Sequence, residues 1–316
     1  MDRDTLRSKF LGSLVGTAIG DALGAFSEGW GVVHPTQVKF MADNQSVLSY
    51  TDDTHMMIGM AESLVIKKGF DAEHMAHVFV DNYQKEPYRG YGPGPPRIFR
   101  LITSGEPWDK AAEAIYPGGS YGNGSAMRIA PVGVMYWDRS DELLKVAHES
   151  SRITHSHELG KEGAALEAHA IALATSMDAS ESFDAEEFLD KLGPSAQHQV
   201  YQQRLADIRG LLHEQDRGII VSSLGHGIEA FNSVPAAIYS FLIHPHSFTE
   251  SVLYAISLGG DTDTIGAMNG AISGAYLGLS SIPQKWELKL ENREYIENLA
   301  DKLWIVYCEK HKAAER

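Results

Sequence analysis

Apolar positions along most of the chain recur every three to four residues, which is the spacing of one face of an α-helix. The longest such stretch runs from Leu6 to Phe26. Alternation with a period of two, which would indicate strands, is not convincing anywhere. The pattern therefore predicts an all-α fold. Further helical patterns follow Thr54, His157, Pro235 and Thr264, and a last one lies near residues 291–311.

Four glycines form a stripe within the first predicted helix, at positions Gly12, Gly16, Gly20 and Gly24. Each glycine costs a helix about 1 kcal/mol relative to alanine, so a row of four needs a compensating reason. Small residues on one face allow a second helix to approach closely. We therefore expect this helix to be central and to have a close helical neighbour.

Two polar segments need separate interpretation. Residues 177–218 are charged throughout, and we expect surface helices there rather than a linker. Residues 89–97, RGYGPGPPR, are too rich in proline for a helix or an inner strand, and we expect them to line an edge or a cleft. No boundary or low-complexity tract divides the chain, which predicts one helical domain over residues 1–316.

Composition and charge limit the classes of partner. Of the 316 residues, 43% are hydrophobic and 22% are charged, as in ordinary globular proteins, and the formal net charge is −15. Such an acidic chain lacks the clustered Lys and Arg that grip nucleic acid or anionic membranes. Cys308 is the single cysteine, so no internal disulfide forms. We expect a cytoplasmic monomer without a signal peptide, a membrane span or direct nucleic-acid binding.

Two predicted helices begin with similar acidic motifs, TDDT at residues 51–54 and DTDT at residues 261–264. Asp and Thr are favoured helix caps, and acids in the first turn suit the helix dipole, so independent capping is one interpretation. Capping needs one side-chain oxygen per helix end, however. Each of these ends offers two carboxylates and two hydroxyls.

A shared metal site is the second interpretation. If the two helix starts meet inside a bundle, their carboxylates must take up protons or hold a cation. Carboxylate and hydroxyl ligands without cysteine favour Mg²⁺ or Mn²⁺ over Ca²⁺ and disfavour zinc. Four carboxylates suffice for two ions about 3.5–4 Å apart. The residues alone leave both interpretations open.

Three further features are candidates for chemistry. The glycine-rich segment of residues 117–133 is either a loop whose backbone cradles a pyrophosphate or a plain multi-turn loop, and it matches no nucleotide-binding fingerprint. Glu28, between a helix and a flexible Gly-Trp-Gly, is either an acid/base or gating group or simply solvated. His155 and His157 do not share a helix face, which argues against a histidine metal site.

Five motifs in this order resemble the ADP-ribosylglycohydrolase family, whose founding members include the dinitrogenase reductase-activating glycohydrolase. They are GDALGAFSEG, TDDT, GSYGNGSAMRIAPVG, THSHELG and LGGDTDTIGAMNGAISGAY, and the resemblance extends over about residues 11–279. RGYGPGP, GSYGNG and SVPAAIYSF are most similar to the ADP-ribosylhydrolase 3 branch. That branch acts on serine-linked ADP-ribose, poly(ADP-ribose) and O-acetyl-ADP-ribose.

The resemblance implies a compact orthogonal multi-helix bundle with two central Mg²⁺ ions, Mn²⁺ being an alternative. Glu28 falls on the mobile catalytic glutamate, and Asp261 or a neighbouring carboxylate is the expected partner of the attacking water. The implied metal ligands are Thr51, Asp52, Asp53, Asp261, Asp263 and Thr264. The implied ligand-binding residues are His155 and, around the pyrophosphate, Gly119, Ser120, Tyr121, Gly122 and Asn123. His226 and Ile228 fall where the family lines the adenosine side of the cleft. The aromatic residue that helps to clamp adenine in the family is displaced by one position here, to Tyr116.

The expected function is that of a metal-dependent hydrolase that removes ADP-ribose from O-linked, serine-modified proteins or peptides. Poly(ADP-ribose) or O-acetyl-ADP-ribose are further expected substrates. Arginine-linked ADP-ribose is the alternative substrate within the family. A non-catalytic ADP-ribose-binding protein and a metal-dependent pyrophosphatase are the alternatives from other classes, and the intact acidic motifs argue against a structural protein.

Overall fold

Helices make up all the regular structure of the part of the chain described in the computed structural model. It describes the backbone of residues 1–314 and the side chains of residues 1–312, so residues 315–316 of the expected domain lie outside it. The prediction of an all-α fold is confirmed. The 17 α-helices in this range are α1 (Arg3–Gly24), α2 (Pro35–Asn44), α3 (Asp52–Lys67), α4 (Ala72–Lys85), α5 (Gly94–Thr103), α6 (Trp108–Ile115), α7 (Ala130–Met135), α8 (Ser140–Ser151), α9 (Glu158–Ser176), α10 (Ala185–Leu192), α11 (Gln199–Leu211), α12 (Arg217–Leu224), α13 (Ala230–Ile243), α14 (Phe248–Ser257), α15 (Thr262–Leu277), α16 (Gln284–Glu287) and α17 (Arg293–Ala314).

The glycine stripe of α1 packs directly against a second glycine stripe on α15. The two helices run antiparallel, because Gly12 faces Gly274 at one end and Gly24 faces Thr262 and Asp263 at the other. A Cβ atom added to Gly16 or Gly270 would overlap the carbonyl oxygen of the other residue. The prediction of a close helical neighbour is confirmed, and the absence of side chains lets the two backbones touch.

Helix α1 is the central helix of the fold, as its pattern predicts. Nearly every residue from Phe10 to Gly24 is buried. With the 3₁₀ turn that follows, it is long and apolar enough to cross a membrane by length and composition, which differs from the expectation that no stretch would be. Of its most apolar window, 89% is buried within the protein, as in the core helix of a globular fold.

Two expectations about proline are wrong in detail. Helix α13 begins at Ala230 and contains Pro235. Proline has no N–H to donate to the Phe231 carbonyl oxygen four residues earlier, and Arg204 Nε donates to that oxygen instead, at 2.9 Å. Helix α5 begins at Gly94, inside the segment expected to be non-helical. Pro95 and Pro96 lie in its first turn, where backbone N–H groups have no intrahelical partner and proline is tolerated.

The polar stretch of residues 177–218 forms surface helices, as predicted. It contains α10 and α11 and ends at the start of α12. Asp184 caps α10 by accepting the backbone N–H groups of Glu186 (2.9 Å) and Glu187 (3.2 Å). This region packs on the outside of the bundle and leaves the α1–α15 pair at the centre.

Substituting Gly270 by alanine tests the contact between α1 and α15. We expect Gly270→Ala to lower the free energy of unfolding by about 1–3 kcal/mol or more, because the added Cβ forces the backbones apart. Urea titration of the purified variant measures this change.

Gly210→Ala is the matched control, since a Cβ at this exposed position of α11 meets no atom within 4 Å. It should leave stability unchanged or raise it by up to about 1 kcal/mol. Equal stabilities of the two variants would contradict the role of the glycine contact.

Candidate active site

The two acidic helix starts meet at one cleft of about 250 Å³. Asp52 and Asp53 open α3, while Asp261 and Asp263 lie at the start of α15. All four line the cleft together with Glu28 from the loop after α1. The antiparallel packing of α1 on α15 explains the meeting, because Gly24 lies directly against Thr262 and Asp263.

Helix capping does not account for all the acidic side chains at these two helix starts. The Thr51 hydroxyl accepts the backbone N–H of Asp53 at 3.4 Å and so caps α3. Asp261 occupies the N-cap position of α15, but its side chain makes no capping hydrogen bond. Asp263 Oδ1 accepts the backbone N–H of the adjacent Thr264 at 2.9 Å, whereas the carboxylates of Asp52 and Asp53 lie in a first turn that Thr51 already caps. Independent capping therefore does not explain the motifs.

Asp21 is a further carboxylate at this site that the sequence analysis did not identify. It is fully buried on α1 and accepts hydrogen bonds from both backbone N–H groups and both hydroxyls of Thr51 and Thr54, at 2.5–3.0 Å. Burial raises the pKa of Asp21 to about 6. The available signal was an acid beside Gly20 in an otherwise apolar helix. Asp21 ties the start of α3 to the central helix.

Burial and the charges of neighbouring carboxylates raise the pKa values of Asp52, Asp53 and Asp263. Burial, followed by the charge of Asp21, raises the pKa of Asp52 to about 7. Burial is also the largest cause of the raised pKa of Asp53, with Asp263 next, and of Asp263, with Asp261 next. Among the described residues that line the cleft, none is Lys or Arg. The buried Arg128 behind the cleft interacts with Asp52, and the remaining negative charge must be balanced by protons or by a cation from solution.

The donor set fits a hard divalent cation. Glu28, Asp261 and Asp263 each place a carboxylate oxygen within 4.8 Å of the others. Asp53 Oδ2 is buried without a hydrogen-bond partner, which is costly unless a ligand uses it. Carboxylate and hydroxyl oxygens are the ligands that Mg²⁺ and Mn²⁺ prefer. Glu28 was expected only as a catalytic group, but in the structure its carboxylate is also within reach of a cation bound by Asp261 and Asp263.

The loop that carries Glu28 is tied by its backbone to the turn before α15. Gly29 N–H donates to the Gly260 carbonyl at 2.8 Å, and Gly260 N–H donates to the Trp30 carbonyl at 2.8 Å. Gly29, Gly259 and Gly260 have positive φ angles of 77°, 76° and 73°, a region that favours glycine. In this conformation the exposed Glu28 side chain reaches the α15 carboxylates.

Only some residues of the predicted pyrophosphate loop line the cleft. Ser120, Gly122 and Asn123 line the cleft, whereas Gly119 and Tyr121 are not among its lining residues. A Cβ on Gly119 would overlap the backbone nitrogen of His157, so this glycine serves packing. The Tyr121 ring lies 5.5 Å from the His157 ring and is 49% exposed.

The other predicted ligand-binding residues surround the same cleft with one exception. His155, Ile228 and Tyr116 line it, and burial followed by the charge of Arg128 lowers the pKa of His155 to about 3. His155 is therefore neutral at physiological pH. His226 does not line the cleft, and its Nδ1 lies 2.8 Å from the Leu258 carbonyl oxygen.

The RGYGPGP segment forms one wall of the cleft, as expected. The lining includes Gly90, Gly92 and Pro93, together with the first residues of α5. Tyr91 points inward, where its hydroxyl lies 2.8 Å from His55 Nδ1. Thr264 also lines the cleft, opposite this wall, and is 4% exposed.

The fold and the cleft together define a class of protein, an all-α protein whose acidic cleft can hold a cation. The sequence model of the ADP-ribosylglycohydrolase family matches residues 2–313. The chain belongs to the ADP-ribosylglycohydrolase family and is an enzyme that hydrolyses glycosyl bonds.

Individual relatives agree with this assignment. The chain is 39% identical to ADP-ribosylhydrolase ARH3 of Bos taurus, over 95% of this chain and 93% of that protein. It is 37% identical to the Homo sapiens protein of the same name, over 95% and 94% of the two chains. A solved structure described as an ADP-ribosylglycohydrolase-related protein complex matches with a TM-score of 0.74 and 27% identity, over 96% of this chain and 99% of that one.

The raised pKa values predict how stabilisation by Mg²⁺ depends on pH. A raised pKa means that proton binding stabilises the folded, metal-free protein relative to the unfolded chain. For Asp52 this stabilisation is lost as pH rises through about 7. A cation competes with those protons. We therefore expect Mg²⁺ to raise the Tm more at about pH 8 than at about pH 5. Thermal unfolding with Mg²⁺ and with chelator measures the difference.

Asp263→Asn should remove most of this stabilisation by Mg²⁺. Asp141→Asn, at an exposed carboxylate in the first turn of α8, should retain it. A rise in Tm that is as large at the lower pH, or that survives in Asp263→Asn, would show that Mg²⁺ binds elsewhere.

Proposed function

We propose that the protein hydrolyses the bond between the anomeric carbon of ADP-ribose and the oxygen of a modified serine, and that it cleaves poly(ADP-ribose) or O-acetyl-ADP-ribose in the same cleft. The observation that carries this proposal is the convergence of Glu28, two acidic helix starts and a glycine-rich loop on one cleft. The similarity to proteins named ADP-ribosylhydrolase supports the choice of ADP-ribose.

Glycosidic cleavage passes through an oxocarbenium-like state, in which the leaving oxygen departs and water attacks the anomeric carbon. The bond from that carbon to the serine oxygen breaks, and a bond to the water oxygen forms. One proton leaves the water and one reaches the serine oxygen, so the products are ADP-ribose and unmodified serine. The enzyme must therefore supply a proton acceptor for the water and a route for a proton to the leaving oxygen.

Two carboxylates suit these proton transfers. Asp261 is 7% exposed and lines the cleft without capping its helix, so its carboxylate is available to accept the proton of the water. Glu28 is exposed on its loop and lies beside Asp261, which places it where a proton can be carried to the leaving oxygen. Glu28 would also close over the substrate if its loop moves, which is its alternative gating role.

Divalent cations complete the proposed site. Two Mg²⁺ ions, or Mn²⁺ in their place, would be held by residues of the two motifs, with Glu28 in reach. Bound there, the cations supply positive charge that fixes ribose hydroxyls and makes water more acidic. The residues we assign as ligands are Thr51, Asp52, Asp53, Asp261, Asp263 and Thr264.

The remaining cleft suits the ADP part of the substrate. With no Lys or Arg among the described lining residues, the pyrophosphate would be bound by backbone N–H groups and hydroxyls near Ser120 and Gly122. Neutral His155 can donate or accept a hydrogen bond there without adding charge. Ile228, which is 67% exposed, and Tyr116 offer apolar surface to the adenosine.

We propose serine-linked and polymeric ADP-ribose as substrates before arginine-linked ADP-ribose because of the segment that forms one cleft wall. RGYGPGP forms that wall, and it is one of the segments most similar to the ADP-ribosylhydrolase 3 branch. Arginine-linked ADP-ribose is the second candidate. A pyrophosphatase acting on the same ligand would release AMP and ribose phosphate instead of ADP-ribose.

Incubation with serine-linked, arginine-linked and polymeric ADP-ribose, with Mg²⁺ or with chelator, tests substrate and cofactor together. We expect ADP-ribose from the serine-linked and polymeric substrates with Mg²⁺ only, read by chromatography. Asp263→Asn should lower kcat by about 100-fold or more, since it removes a carboxylate from the reacting centre.

Asp141→Asn is the control for this experiment and should keep wild-type turnover. Activity that is undiminished in chelator would contradict the role of divalent cations. Preferential release from the arginine-linked substrate would replace serine by arginine, and AMP as the product would replace the glycohydrolase by a pyrophosphatase.

A further inference from the structure

Asn123 joins the glycine-rich loop to the acidic cluster through its N–H groups. Its backbone N–H donates to the Ile228 carbonyl oxygen at 2.9 Å. Its side-chain Nδ2 donates to Asp261 Oδ2 at 2.5 Å and to Ser233 Oγ at 3.0 Å. The residue is 7% exposed. These three bonds use all three N–H donors that an asparagine has.

Engagement of these donors argues against the pyrophosphate-binding role that the loop position implies for Asn123. Pyrophosphate oxygens only accept hydrogen bonds, so a residue binds them through a free N–H or O–H group. Asn123 would have to break a bond inside the protein to do so. Its neighbour Ser120 lines the same cleft and is better placed for that task, since its hydroxyl oxygen accepts the Gly122 N–H (3.2 Å) and its hydroxyl hydrogen can still be donated. Asn123 therefore has a different function from the rest of the loop.

We propose that Asn123 is a positioning residue that holds the carboxylate of Asp261 in its reactive orientation. This inference rests on the proposed function, in which Asp261 accepts a proton from the attacking water. An ionised carboxylate only accepts hydrogen bonds, so the amide nitrogen of Asn123, and not its oxygen, faces Asp261. A hydrogen bond to a charged oxygen is strong and directional, which suits this purpose.

Ser233 fixes the direction of the Asn123 amide. This serine is fully buried on α13, and its hydroxyl donates to the Glu229 carbonyl oxygen at 3.2 Å. The hydroxyl oxygen is thereby turned to accept from Asn123. A line of hydrogen bonds thus leads from the start of α13 through Ser233 and Asn123 to Asp261. Each member has a single orientation that satisfies its neighbour.

Asp261 is also held through its backbone by the same part of the chain. Its N–H donates to the His226 carbonyl oxygen at 2.9 Å. The segment of residues 226–230 in turn pairs with the loop, since Ala230 N–H donates to the Tyr121 carbonyl oxygen at 3.0 Å. The loop, this segment and Asp261 form one hydrogen-bonded unit. A displaced Asn123 would therefore misplace the carboxylate while the groups that we assign to pyrophosphate binding stay in place.

Comparison of Asn123→Ala with the wild type separates positioning from ligand binding. We expect kcat on the serine-linked substrate to fall by about 10–100-fold, the usual loss when a supporting partner of an active-site ligand is removed. The Kd of ADP-ribose, measured by calorimetry with Mg²⁺ present, should change by less than about 3-fold, because no ligand contact is lost.

Ser233→Ala is the second variant, since it removes the acceptor and leaves Asn123 in place. Its kcat should fall by about 5-fold, as for the loss of one hydrogen bond, and its Kd for ADP-ribose should not change. If thermal unfolding shows that Asn123→Ala is not folded, the results for Ser233→Ala test the inference. A rise in the Kd of ADP-ribose with unchanged kcat would overturn the inference and make Asn123 a ligand contact.

The calorimetric measurement also separates this inference from the proposed function. If the wild type released ADP-ribose from none of the substrates, the proposed function would fail. The effect of Asn123→Ala on the Kd of ADP-ribose would still be informative, since an unchanged value supports a residue turned away from the ligand and a value raised by about 10-fold or more contradicts it.

Discussion

The close contact between the backbones of α1 and α15 is the constraint on which the site depends. Side chains larger than hydrogen along either glycine row would separate the two helices. The contact puts the last turn of α1 against the first turn of α15, so Asp21 and the DTDT motif lie at the same end of the bundle. Asp21 then draws the start of α3 to this point through Thr51 and Thr54.

This arrangement concentrates like charges where water is scarce. Carboxylates are costly to bury, and the charges of neighbouring carboxylates raise the pKa values of Asp53 and Asp263 further. A fold selected for stability alone would avoid such a cluster, and departures from local rules of this kind are typical of functional sites. Hydrogen bonds from Asn123 to Asp261 and from two threonines to Asp21 orient individual carboxylates but do not neutralise the cluster. A divalent cation bound at the cluster, as we propose, would resolve this conflict.

Local patterns predicted the helices and the acidic motifs but not all of their connections. The glycine stripe of α1 predicted a close neighbour, because that signal lies within one helix. TDDT and DTDT by themselves left capping and a shared site both open, because nothing within either motif shows that the two helix starts meet. Asp21 was missed because its partners are 30 and 33 residues away. Pro235 was misread because Arg204, far away in sequence, satisfies the carbonyl group that the proline leaves free. The internal use of the Asn123 amide was missed because its partners, Ser233 and Asp261, are 110 and 138 residues away.

Anomalous diffraction from crystals grown with Mn²⁺ tests the central claim most directly. The account predicts anomalous peaks between the starts of α3 and α15, within coordination distance of carboxylate oxygens from both motifs. Peaks bound to only one motif, or an empty cleft in crystals that hold Mn²⁺ elsewhere, would contradict it.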